Sequence, residues 1–244
     1  MLKRVFSVGL FAGLVSGLLI AILLHFATTP LILKAEVYET AAEAAGAMHE
    51  HDVASSNATS PSHHDHVEEA DEWKPSDGFE RTLSTSVATI VTGIGFSLIL
   101  IAAMLVADDP ITPMNALLWA SGGFTATGLA TGLGLAPELP GSAAADLALR
   151  QGWWIFTAFA TALGLYLLLR SPKRALKSGG VALILLPHMI GAPHPQHFIS
   201  TAPAELAAQF AASSLAIHAA LWASVGLSVG YFWLRTAPNP RALA

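Results

Sequence analysis

The chain has 244 residues, 53% of them apolar and only 12% charged, with a mean hydropathy of +0.56. Soluble domains carry about 25% charged residues, so half that share, arranged in long uncharged runs, points to an all-α, polytopic helical membrane protein. The net charge of −5 argues neither for nor against a nucleic-acid partner, because 12 of the 17 acidic residues crowd between Glu36 and Glu80, while the lack of cysteine excludes disulfides and thiolate metal sites.

Lys3 and Arg4 precede an uncharged run from Val5 to Leu24, long enough to cross a hydrocarbon core of about 30 Å. A cleaved signal peptide is the competing reading. The run is longer than a typical signal core, and no A-x-A site follows promptly. Gly9, Gly13 and Gly17 recur every four residues and predict a face on which another helix can approach closely. His25 lies at the far end of this helix. Residues 1–33 are thus read as the first span and the start of a stem. Glu36 and Glu39, three apart, share one face if the stem stays helical.

Residues 34–83 form an outer acidic, His-rich stem and linker. From 46 to 80 the composition predicts disorder. His49, His51, His63, His64 and His66 stand there as five histidines in 18 residues, a surface that could gather divalent metal without fixed geometry.

Residues 84–235 are read as five further segments. One runs from about Ser84 to Ala107 and ends in Asp108-Asp109-Pro110. Another runs from about Met114 to Ala136, with Gly122, Gly123, Gly128 and Gly132 for close packing, and Pro137-Glu138-Leu139-Pro140-Gly141 ends it. Asp146, Arg150 and the interfacial pair Trp153-Trp154 introduce the next, Gly152 to Leu169. A basic turn, Arg170 to Lys177, leads to a short segment of about Ser178 to Ile190. It reaches only about 20 Å, so it is expected to be short or broken. The last segment runs from about Leu206 to Leu234, with Trp222, Tyr231, Phe232 and Trp233 as packing and interface residues. A tail, 236–244, follows.

Six crossings with both termini inside put eight of the 12 basic residues on the cytoplasmic side, as the positive-inside rule asks. His25, Glu36, Glu39, Glu138, Asp146 and the linker histidines then fall on or near the outer face. Asp108 and Asp109 form an acidic pair at the inner side. His218 alone lies near mid-membrane, and an intramembrane ionisable residue is a candidate functional group.

Pro187-His188-Met189-Ile190-Gly191-Ala192-Pro193-His194-Pro195-Gln196-His197 packs three imidazoles and three prolines into eleven residues. Proline removes a backbone donor, so the arriving helix is expected to end or break there. Imidazole is the commonest side-chain ligand for borderline divalent metals. His188 is therefore the foremost candidate ligand, with His194 and His197 further out and Glu36 or Glu138 as oxygen donors. Only neutral imidazole binds metal, so binding should weaken as pH falls through the ordinary histidine range, about 6.5.

The chain resembles the CbtA family of predicted cobalt transporter subunits over nearly its whole length. The likeness rests on Thr29-Pro30-Leu31-Ile32 with Ala35-Glu36-Val37-Tyr38-Glu39, on Pro137-Glu138-Leu139-Pro140-Gly141, on Arg150-Gln151-Gly152-Trp153-Trp154, and on Pro187 to Pro193. The resemblance implies a bacterial cytoplasmic-membrane protein that moves Co²⁺ in connection with cobalamin supply. It also implies a small single-span CbtB-like membrane subunit with its own histidines. The family is described with five spans, one fewer than the runs give here. Three functions stay open: a divalent-metal permease for cobalt, or for nickel or zinc, whose ligands are chemically alike; a metal-capturing accessory or regulatory membrane subunit; and a scaffold. No organic cofactor is called for. No enzyme reading arises, because no nucleophile, base and orienting group can be placed together, and no phosphate-binding loop of the ATPase type is present.

Overall fold

A computed structural model describes residues 1–54, 78–197 and 200–236. Eight α-helices and one π-helical turn make up its regular structure among the described residues: α1 Leu2–Ala27, α2 Thr29–Ala54, α3 Phe79–Val106, α4 Pro113–Phe124, the π turn Thr125–Leu129, α5 Ala130–Gly132, α6 Leu147–Arg170, α7 Arg174–Ile190 and α8 Ala204–Arg235. Four of them, α1, α3, α6 and α8, are long and apolar enough to cross a membrane. The chain is thus a helical membrane protein.

Lipid is as apolar as leucine, so helices in it associate through close packing and satisfied polar groups. The first run behaves as its glycines predict. Val8, Gly9, Ala12, Gly13, Ser16, Gly17 and Ile20 form the buried face of α1, and it lies against α3. A methyl group on Gly13 would collide with the backbone of Ile94, and one on Gly93 would meet the Gly13 carbonyl. The core continues through Ile101 and Met104 of α3 to Val225 and Val229 of α8, all fully buried. α4 closes this bundle on α8. Thr112 caps α4 by accepting from Asn115 N–H at 3.2 Å, and Pro113 takes the first helical position, where its missing N–H costs nothing.

α6 and α7 form a second, antiparallel pair. Gly164 and Gly180 lie face to face, each shielding the other's carbonyl. The pair meets the bundle mainly along the π turn.

Two ends can be told apart. At one, Arg4 donates from Nη2 to the Trp233 carbonyl at 2.5 Å, and Arg170 grips Asp109 through two bonds of 2.7 and 2.8 Å. At the other, α2 rests over the loops after α5 and α7, where Ala35, Leu139, Ala202 and Leu206 are buried together.

Several expectations are corrected. The segment expected to be disordered from residue 46 is helical as far as Ala54, because α2 continues through the alanine-rich stem. α3 begins at Phe79 rather than Ser84, since Gly78 at φ 92° starts it and Arg81 in its first turn pairs with Glu36 at 2.5 Å. Pro187 does not break α7. It sits in the last turn, where only one backbone bond is forfeited, and the helix ends at Gly191 with φ 89°. α7 starts at Arg174 rather than Ser178 and so is about 26 Å long, not 20. Asp109 is held by Arg170 and by the Trp119 indole at 2.7 Å, which together keep its carboxyl below the usual carboxylate range.

Candidate functional site

The π turn widens one helical turn by one residue: the Ala130 N–H reaches back five residues to the Thr125 carbonyl. Such turns recur at functional sites. Here it presents Thr127 to α8. Thr127 Oγ1 lies 3.0 Å from Nε2 of His218 and accepts from Trp222 Nε1–H at 2.9 Å. The threonine hydroxyl donates its own proton to the Gly123 carbonyl at 2.9 Å. Trp222 Nε1–H also points to His218 Nε2, at 3.2 Å, so Nε2 donates to Thr127 in one tautomer and accepts from Thr127 or Trp222 in the other. Nδ1 makes no hydrogen bond among the described residues, and its lone pair is open in the tautomer protonated at Nε2. This is the arrangement found behind metal-bound imidazoles, where a bond to one nitrogen orients the other.

The rings fit because two glycines leave room. A methyl group on Gly128 would press on Cδ2 of His218, and one on Gly123 would press on the Trp222 ring. Phe96 stacks on Trp222 with centroids 4.8 Å apart and meets His218 edge-on at 6.1 Å.

His218 lies about 21 Å along α8 from Ala204 and lines a cavity of 620 Å³ between α6 and α8. Thr127, Thr131 and Ser214 add hydroxyls around it, and Gln151 adds an amide. Glu138 and Arg150 stand at the rim, joined at 2.6 Å. Arg150 belongs to the first turns of α6, which Asp146 caps by accepting from Leu149 N–H at 3.0 Å.

Of the candidates from sequence, His218 and Glu138 thus come to one cavity. The others do not. His188 is half-buried against Trp153, 6.0 Å between rings, on the α7 side of α6. Trp153 itself donates to the Pro187 carbonyl at 3.3 Å. His25, His194 and His197 are exposed at the same end of the molecule as the cavity rim. Glu36 is engaged by Arg81, and Glu39 lies near Gly141. The side chains of His49 and His51, and all of His63, His64 and His66, lie outside the described residues. Among the described residues no three of His, Asp and Glu are grouped to hold a metal ion.

Sequence reasoning missed Thr127, Gly128 and the support role of Trp222. The glycines were visible, but as generic packing sites.

Comparison with known proteins agrees with a metal-handling membrane role. A family model described as "Probable cobalt transporter subunit (CbtA)" matches residues 2–234. No curated protein and no solved structure matches the chain. With its match running from the start of α1 to the end of α8, the chain belongs to the CbtA family of probable cobalt transporter subunits.

Proposed function

We propose that the chain carries cobalt(II) across the cytoplasmic membrane through the cavity between α6 and α8, with Nδ1 of His218 as the fixed metal contact. One observation carries the reading: Nε2 of the His218 imidazole is engaged by Thr127 and Trp222, while its other nitrogen makes no hydrogen bond among the described residues. An ionisable group at that depth is costly to keep without a use. Cobalt itself rests on family membership, since imidazole and oxygen donors suit nickel and zinc equally.

In this reading all six segments cross. α4, the π turn and α5 together run from Pro113 to Gly132, roughly 30 Å of helix, and α7 supplies about 26 Å. Both termini are cytoplasmic, with Lys3, Arg4, Arg170, Lys173, Arg174, Lys177 and Arg235 on that side. His25, His188, His194 and His197 collect metal at the outer end, and the linker histidines raise its local concentration. Glu138 admits it at the rim. A small single-span membrane subunit completes the transporter.

A second reading has the chain capture metal outside and present it to another permease. The scatter of outer histidines favours it. Uptake of radiolabelled cobalt by vesicles holding this chain, with and without the small subunit, decides. Saturable uptake supports transport; binding without uptake in both preparations supports capture.

A further inference from the structure

We propose that the cavity takes cobalt as a small chelate whose ligand carries carboxylates, held between Arg150 and His218, and not as a stripped ion. The inference rests on the reading of His218 as the metal contact and adds the chemical form of the substrate.

Three observations lead there. A bare divalent ion of this kind asks for about four to six close donors. The described residues offer no group of three His, Asp or Glu, so these side chains do not by themselves replace the metal's shell. A metal bound here keeps ligands that it brings with it. The size is also informative: six waters occupy about 180 Å³, whereas the cavity measures 620 Å³, within the usual range of about 300–1,000 Å³ for small-molecule sites.

Charge then separates a chelate from a hydrated ion. Arg150 lines the cavity, and its one carboxylate neighbour there, Glu138, is already paired with it. The site offers no net negative charge to a dication. Among the described residues the Arg150 guanidinium makes one hydrogen bond, from Nη2 to Glu138, and its Nε is buried without a partner. A guanidinium has five donors in a fixed fork and pairs best with a carboxylate in two bonds. A carboxylate-bearing chelate neutralises the metal and supplies that group. Hydroxyls of Thr131 and Ser214 suit its remaining oxygens. On binding, one water leaves the metal as Nδ1 of His218 takes its place, with no change in oxidation state.

The test uses the full chain in detergent with cobalt(II) citrate, the metal and the citrate carrying different radiolabels. Expected is co-retention of both labels in near-equal amounts, with citrate alone bound far more weakly. Arg150→Gln should weaken binding of the complex by about 10-fold or more, the worth of charged hydrogen bonds. Arg150→Lys keeps the charge without the fork and should fall between, and it serves if the glutamine variant does not fold. Cobalt retained without citrate, binding that drops in step with free Co²⁺ as citrate is added, or neither label retained overturns the proposal. Vesicle uptake separates it from the transport reading. A complex that binds but never crosses defeats transport and leaves the chelate standing. Bare cobalt taken up, with citrate only competing, does the reverse.

Discussion

Thr127 Oγ1 and His218 Nε2 lie 3.0 Å apart although 91 residues separate them in the chain. The threonine is fixed in turn by the Gly123 carbonyl and the Trp222 indole. Thr127→Val keeps the shape and removes the oxygen. Loss of such a supporting bond costs about 10- to 100-fold in metal affinity. The expected outcome is a raised half-saturation for cobalt uptake with little change in membrane level. Thr127→Ser should restore it. Unchanged affinity in the valine variant would show that the bond does not orient a ligand.

Gly128 lies against the His218 ring. Gly128→Ala should displace the imidazole and lower uptake, whereas the same change at Gly122, which faces open space away from the cavity, should not. Uptake at matched protein level measures both. Equal loss at the two positions would point to a general effect on the helix.

The turn between α3 and α4 closes through Asp108, the one non-glycine residue at positive φ (53°) among those described. Asp108 N–H bonds the Leu105 carbonyl at 3.2 Å and Asp109 N–H bonds that of Met104 at 3.0 Å, a left-handed helix stop. Asp108→Gly should be neutral or stabilising by up to about 1 kcal/mol, and Asp108→Val should destabilise by about 1–2 kcal/mol. Thermal unfolding in detergent reads both signs.

Asp109 has its carboxyl shifted downward, first by its hydrogen bonds to Arg170 and then by that from Trp119. A group depressed in the folded state adds stability above its unfolded value of about 3.9 and loses it as pH falls through the folded value. The melting temperature of the parent chain should exceed that of Asp109→Asn by a constant margin from pH 7 to pH 5. The margin should shrink only below about pH 4. A margin that closes near pH 6 would mean that a histidine, not Asp109, governs it.

Much of the fold was legible because it follows local rules. Uncharged runs marked the helices, and the Gly9-Gly13-Gly17 repeat marked a close helix contact, which α3 makes. His218 was legible as the one titratable group deep in a span. Its support was not. Thr127 reaches it only through a π turn, which depends on a five-residue hydrogen bond that no apolar period reports. Nor could composition tell that Glu138 and Asp109 would meet arginines from α6, 12 and 61 residues away. The proline stretch does end the helix, but at Ile190, three residues past Pro187 and at a positive-φ glycine, so Pro187 itself breaks nothing. Sequence ranked His188 first because the proline stretch is conspicuous, whereas the cavity favours His218.

The central claim is that His218 contacts the metal during transport. Radiolabelled cobalt uptake should therefore be compared in stably expressed His218→Ala and His188→Ala variants beside the parent chain. The account predicts that His218→Ala abolishes saturable uptake at normal membrane level, while His188→Ala retains it with weaker apparent affinity. Parental uptake by His218→Ala would contradict it.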